Sequence, residues 1–425
     1  MRRLFSNYAL PNRSARIIAI GVVVYATSSG LYLAGSTVYF VKGVGLSVAQ
    51  IGTGLTIAGL VGFLTTVPVS MLANRWGPLR LLRLLQTWRA VWFAALAFAQ
   101  DAVTFTLFAS LFMISQGPVF PMVQILINAA AGEADRTRTL GVISSVINVG
   151  MSLGALAAAP FLSLGGTRAL QAVLLTGAAC CLLAAGLFGF LKVDVPEAEH
   201  KPSRWYSGIA AVARDRRYLG LTVTNGVLFL HTVLLSIGMP LWIVQSTDAP
   251  AGLLSVLFTV NTVLAIAFQV YFAKNVKSSR DGTRALRRAG LALAAYNLLL
   301  IVTLQSVGWV TVAVLLAATA VLTCGELLQG AGGWELSYRH APEAQRTEYL
   351  SVFSLGTAIA NIVGPALLAL LLSRETTGLV ALAVLFAGAA AAVTAIGARL
   401  ARTELAPHTL PTDTGSGPAV TADAH

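Results

Sequence analysis

The sequence predicts an all-α integral membrane protein whose twelve transmembrane helices form two pseudo-symmetric bundles of six. Three observations predict this. Hydrophobic residues fill 56% of 425 positions and charged residues only 11%, whereas a soluble domain carries about 25% charged residues. The apolar residues gather into twelve stretches, each long enough to cross a hydrocarbon core of about 30 Å. The basic residues fall between these stretches on alternate connections, the pattern that orients a multi-pass chain.

The stretches run 16–40, 47–73, 82–100, 103–130, 139–163, 168–191, 217–244, 250–274, 285–306, 309–336, 346–372 and 376–398. Each is apolar for about 20 residues or more, where a barrel strand would show about ten in strict alternation, so helices are expected. Span one follows Arg13 and Arg16 as a signal peptide would, but it is long, lacks a small-residue cleavage site and leads into further spans. It is expected to be retained. Spans two and three enclose a basic turn at Arg75 and Arg80, and spans four and five flank Arg136 and Arg138. Span six ends at the connection 192–215, rich in mixed charge and proline, which divides a first half, 1–191, from a second, 216–402. Lys274 to Arg288 separate spans eight and nine, and Arg339 and Arg346 separate ten and eleven. The tail 403–425, rich in Thr, Pro, Gly and Ala, is expected to be disordered.

The termini and the connections after even-numbered spans hold 25 of the 29 basic residues, against Lys42, Arg168 and Arg374 on the other side. Both termini of this cell-membrane protein are therefore expected in the cytoplasm. The net charge of +12 follows from that topology. It brings attraction to anionic lipid and gives no reason to expect nucleic acid as a partner.

A local repeat suggests duplication. Glu133-Ala-Asp-Arg136-Thr137 before span five matches Glu343-Ala-Gln-Arg346-Thr347 before span eleven at an offset of 210, and the match continues through Leu140 and Leu350, Val142 and Val352, and Ser144 and Ser354. Spans six apart share an orientation, which implies parallel halves related about the membrane normal.

The six-plus-six layout and the turn Ser70-Met-Leu-Ala-Asn74-Arg75-Trp76-Gly77-Pro78-Leu79-Arg80 resemble the major facilitator superfamily, whose motif there reads Gly-x-x-x-Asp-Arg-x-Gly-Arg-Arg. Arg75, Gly77 and Arg80 match, while Ser70 and Asn74 replace the glycine and the aspartate. The resemblance implies secondary transport by alternating access, with this turn as a latch that changes partners and with spans one, four, seven and ten lining a cavity. A tight basic turn that only sets topology is the alternative for Asn74, Arg75, Gly77 and Arg80. Gln116-Gly117 resembles the end of a span-four motif whose arginine would fall at Met113. Gly150, Gly154 and Ala155 stand where proton-antiporting exporters of the family show a glycine run ending in Gly-Pro, and Gly364-Pro365 in span eleven comes nearer to it. Close helix packing explains such small residues equally well.

Chemistry is expected from polar groups that lipid makes expensive. Glu326 lies about nine residues from the basic end of span ten, roughly 13 Å at 1.5 Å per residue. It is a candidate for proton coupling or substrate contact, or for a structural hydrogen bond, and Gln329 one turn away can share its face. His231, whose imidazole type titrates near neutrality, is a weaker candidate that a backbone carbonyl could equally satisfy. Arg89 is the one basic residue inside a span; its long stem predicts snorkelling to the basic surface, with a cavity-facing anion or carboxylate contact as the alternative. Glu335, at the edge of span ten, is expected to pair with Arg339 or Arg346 as a gate or an ordinary cap. Cavity positions Tyr25, Tyr32, Gln116, Gln124, Asn128 and Asn225 add rings and uncharged hydrogen-bonding groups, which suit an amphipathic or weakly cationic organic substrate.

No phosphate-cradling glycine loop and no set of metal ligands at ligand spacing is present in the sequence, and Cys180, Cys181 and Cys324 sit in apolar spans. An enzyme, a metal and a cofactor are not expected. The function expected is proton-coupled efflux of small organic, drug-like or secondary-metabolite compounds by a monomer, with the proton gradient as energy source. A proton symporter or facilitator importing an uncharged nutrient comes second, and a non-transporting scaffold or sensor third.

Overall fold

The computed structural model describes residues 9–164, 166–193, 212–250, 253–372 and 374–404; most of the middle connection and the tail from 405 lie outside the described residues. Among the described residues twelve long helices follow one another: α1 (Arg13–Val38), α2 (Val48–Met71), α3 (Pro78–Leu96), α4 (Ala102–Glu133), α5 (Asp135–Phe161), α6 (Thr167–Gly189), α7 (Arg216–Ile243), α8 (Leu253–Lys274), α9 (Ser279–Val302), α10 (Trp309–Arg339), α11 (Arg346–Leu372) and α12 (Glu375–Glu404). Among the described residues, eleven are long and apolar enough to span a membrane. The twelfth, α3, is less apolar because it carries Arg80, Arg83 and Arg89.

Backbone chemistry moves several predicted boundaries. Helix α3 starts at Pro78 instead of 82, because Gly77 turns the chain at φ +79 and proline fits the first helical position, where its missing N–H has no partner to lose. Helix α4 is interrupted after Met113 and resumes at Gln116. Pro118 and Pro121 lack the N–H groups that would bond carbonyls four residues earlier, so the break falls just ahead of them. Where α4 passes into α5 only Gly132, in the last turn of α4, departs from helical geometry, at φ 75 and ψ 170, so that connection is a kink. A π-turn at Leu234–Gly238 interrupts α7 just before Pro240.

Each half packs around an equivalent crossing. A Cβ on Gly150 or Gly154 of α5 would run into the backbone of Val23 or Thr27 on α1, and one on Gly226 of α7 would run into the backbone of Gly356 on α11. The first and fifth helices of each half thus approach through glycine. Buried apolar side chains form separate cores in the two halves, except that Trp334, Tyr338 and Leu350 of the second pack into a core of the first. They do so at the end that carries residue 13, the α2–α3 turn and the α10–α11 turn, called the basic end below. Ser14 Oγ donates to the Lys192 carbonyl there (3.1 Å), and Tyr218 Oη to that of Ser337 (3.0 Å). At the opposite end Trp242 Nε1 donates to Thr303 Oγ1 (2.9 Å), and the Asp248 carboxylate accepts the Gly308 N–H (2.6 Å), which holds its titration below the ordinary aspartate range.

Candidate functional site

Arg89 does not snorkel. With α3 beginning at Pro78, it lies eleven residues inside the helix, about 16 Å along the axis, and its side chain is 2% exposed. Nη1 donates to Gln116 Oε1 and to Tyr25 Oη (3.4 Å), and Nη2 donates to Ser29 Oγ (3.2 Å). The guanidinium carbon also sits 4.8 Å from the Tyr25 ring centroid and 4.6 Å from that of Phe112, geometry in which ring faces attract a cation. No carboxylate lies within 4.0 Å of it among the described residues. Tyr25, Ser29 and Gln116 line a cavity of about 260 Å³ inside the first half, walled mainly by apolar groups including Val119, Val123 and Ile147. Gln86, on the same wall, is 0% exposed, and neither atom of its amide has a hydrogen-bond partner.

The second half carries the opposite charge. Helix α10 runs to Arg339, so Glu326 lies thirteen residues from its basic end, about 20 Å and deeper than the sequence indicates. Its Oε2 accepts from Asn261 Nδ2 on α8 (2.9 Å), and among the described residues no cation is within 4.0 Å. Gln329 does not share this arrangement: its Nε2 donates to Asn225 Oδ1 on α7 (2.8 Å). His231 is buried within electrostatic reach of Glu326, with Nδ1 3.0 Å from the Leu228 carbonyl and Nε2 3.3 Å from Thr232 Oγ1.

A third cluster joins the halves at the basic end. The Glu335 carboxylate, 1% exposed, meets Arg136 Nη2 at 2.6 Å and Arg339 Nη2 at 2.7 Å, and accepts from Thr137 Oγ1 at 2.6 Å. Arg339 reaches on to Glu133 (3.1 Å). Of the two partners expected for Glu335, Arg339 is the one that pairs with it, while Arg346 contacts Glu343 (3.5 Å) and lies over the Tyr338 ring at 4.4 Å, where Arg136 also lies at 4.2 Å. In the α2–α3 turn Asn74 Nδ2 donates to Glu348 Oε1 on α11 (2.7 Å), while Arg75 and Arg80 are exposed. The amide that stands where the family motif has aspartate thus still ties the turn to the other half.

Tyr32, expected to line the cavity, packs against Phe112 and Phe93 at centroid distances of 5.1 and 5.6 Å instead. Gln124 is buried, and Asn128 Oδ1 has no partner. The structure therefore brings Arg89, Gln116 and Tyr25 together, ties Asn225 to Gln329, sets His231 near Glu326, and gathers Asn74, Glu335, Arg339 and Arg346 at the basic end. Sequence reasoning missed Ser29, Gln86, Thr137, Tyr338 and Glu348, and counted Arg136 only as a topology charge. The repeat that aligns Arg136 with Arg346 was the one signal available for the latter.

Among the described residues, twelve long helices in two halves, clasped at one end and holding buried charges within the spans, give the architecture of a multi-pass membrane protein. The chain belongs to the major facilitator superfamily, whose family model matches residues 18–365. No curated protein sequence is significantly similar to it. Among solved structures, the human organic anion transporter TETRAN matches with a TM-score of 0.70 at 15% identity, covering 91% of this chain and 100% of that one. A bacterial homologue of the iron transporter ferroportin in an outward-facing state matches with a TM-score of 0.72 at 13% identity, over 92% and 100%. The E. coli fucose:proton symporter FucP gives 0.69 at 13% identity, over 92% and 99%. These likenesses establish the shared fold.

Proposed function

We propose that this transporter exports small organic compounds of drug-like or secondary-metabolite type in exchange for protons, by alternating access in the cell membrane and as a monomer. Glu326 carries the proposal: it is an acid about 20 Å inside α10, held by the neutral amide of Asn261 and not by a cation. An uncompensated carboxylate is costly in a site that closes around it, and a proton removes that cost. Binding and release of the proton from alternate sides would then couple the gradient to the rocking of the halves.

The basic-end cluster supplies the gate. Arg136, Glu335, Arg339 and Glu133 bridge the halves, and the bias of 25 of 29 basic residues to one side puts this end in the cytoplasm together with both termini. The structure is then the form closed toward the cytoplasm. A second reading, proton symport of an uncharged nutrient, draws on the neutral Asn225–Gln329 pair, which suits a hydroxylated solute.

Purified protein in liposomes with an imposed pH gradient separates these readings by the direction in which organic solutes accumulate. Glu326→Gln is expected to abolish gradient-driven transport while exchange of substrate for substrate continues. Undiminished pH-driven flux in that variant would remove Glu326 from the coupling step, and no solute-dependent flux at all would leave the scaffold alternative.

A further inference from the structure

We propose that the pocket beside Arg89 binds the carboxylate of a small organic monoanion, which is the cargo of the transport cycle; the proposal rests on the transporter reading above and adds the chemistry of the substrate. Arg89 is a buried full charge whose partners, Gln116, Tyr25 and Ser29, are all neutral. Each accepts a single hydrogen bond, a task that a carboxylate performs with two oxygens and a compensating charge. The Nε of Arg89 has no partner and remains available.

Gln86 is the independent sign of a ligand. It stands three residues before Arg89 and therefore on the same helix face. It lines the cavity together with Tyr25, Ser29 and Gln116, the residues that hold the Arg89 head, and is fully buried with both amide atoms unpaired. Buried amides left wholly unpaired are rare in native proteins. A carboxylate bridging Arg89 and the Gln86 NH₂ would satisfy these two donors, while the Gln86 Oε1 can accept from a donor elsewhere on the ligand.

The pocket also limits what else can enter. Its lining contains no charged side chain, and the charge beside it is that of Arg89, whose guanidinium is bonded to the lining residues Tyr25, Ser29 and Gln116, so a phosphate or dicarboxylate would bring a second negative charge with no counterpart. The remaining walls, Val119, Val123, Ile143, Ile147 and Met151, are apolar and suit an aliphatic or aryl body. The volume of about 260 Å³ falls just under the roughly 300–1,000 Å³ of sites for drug-sized ligands. A small aliphatic or aromatic acid fits this combination, and the weakly cationic substrate expected from the sequence does not.

The test uses the full-length protein in detergent, titrated near neutral pH with benzoate, phenylacetate and octanoate, each beside its primary amide. At least one acid is expected to bind at least about ten-fold more tightly than its amide, the loss expected when a charge-assisted contact becomes neutral. Arg89→Gln is expected to weaken acid binding about 10- to 100-fold, and Gln86→Leu about 2- to 10-fold, with thermal unfolding monitored alongside. Should Arg89→Gln fail to fold, Gln86→Leu alone decides. Failure of all three acids to bind, equal binding of acid and amide, or full retention of affinity in the folded variants would overturn the proposal. Acid binding without any flux in liposomes would sink the transporter reading and leave the pocket; flux of other solutes without acid binding would do the reverse.

Discussion

Arg136 and Glu335 are each 1% exposed and 2.6 Å apart, with Thr137 donating a further hydrogen bond to the same carboxylate oxygen. Removing one member of such a pair strands a buried charge, which costs about 3–5 kcal/mol, whereas replacing both by apolar groups is often much milder. Glu335→Gln, which strands Arg136, should therefore lower the thermal unfolding midpoint in detergent more than the double Arg136→Leu/Glu335→Leu variant does, whereas Arg136→Leu leaves Glu335 paired with Arg339 and should cost less than Glu335→Gln. If the double variant loses as much as the two singles together, the pair is not acting as a unit. Little of this pairing was legible in the sequence. The partners are 199 positions apart, and no periodicity within a helix reports which arginine of the basic end turns inward. Arg89 was misplaced for a related reason: a stem that can snorkel from a helix end reads the same in sequence as one held by Tyr25, Ser29 and Gln116 on two other helices.

At the level of helices, the crossing of α1 with α5 recurs as that of α7 with α11. A side chain on Gly154 would meet the backbone of Thr27 and Leu31, and one on Gly226 the backbone of Gly356. Backbone cannot rotate away as a side chain can, so Gly154→Val and Gly226→Val should each destabilise by at least about 1–3 kcal/mol, the usual range for overpacking. Gly186, which has open space around its Cβ position, provides the contrast: Gly186→Ala should be neutral or stabilise by about 0.5–1 kcal/mol through helix propensity. Equal loss of thermal stability at all three positions would refute the close-crossing account. The spans themselves were readable because lipid demands long apolar helices. The break in α4 was not, although Pro118 and Pro121 were visible, because proline is also tolerated inside unbroken membrane helices. That break matters for the site. Gln116 opens the second segment of α4 and stands at the repeat offset of 210 from Glu326. The two halves therefore place an amide that accepts from Arg89 and an acid that accepts from Asn261 at corresponding points.

Across the whole molecule the two isolated charges have opposite signs and lie in different halves, Arg89 in the first and Glu326 in the second. If Arg89 receives a monoanion on its way out and Glu326 a proton on its way in, one cycle moves two elementary charges in the same electrical sense. Each charge crossing the membrane is worth roughly 2.3 kcal/mol per 100 mV, so a membrane potential negative on the cytoplasmic side should drive export with about 4.6 kcal/mol per 100 mV even without a pH difference. In liposomes carrying oriented protein, a potassium gradient with valinomycin should therefore accelerate loss of a bound-class carboxylate from the side bearing the basic end. Reversing the potential should slow it. In Glu326→Gln only exchange of substrate for substrate should continue, which moves no net charge, so the potential should no longer drive net loss of the carboxylate. A rate indifferent to potential would require anion and proton to travel together as a neutral pair, and that would assign the two charges to symport instead of exchange.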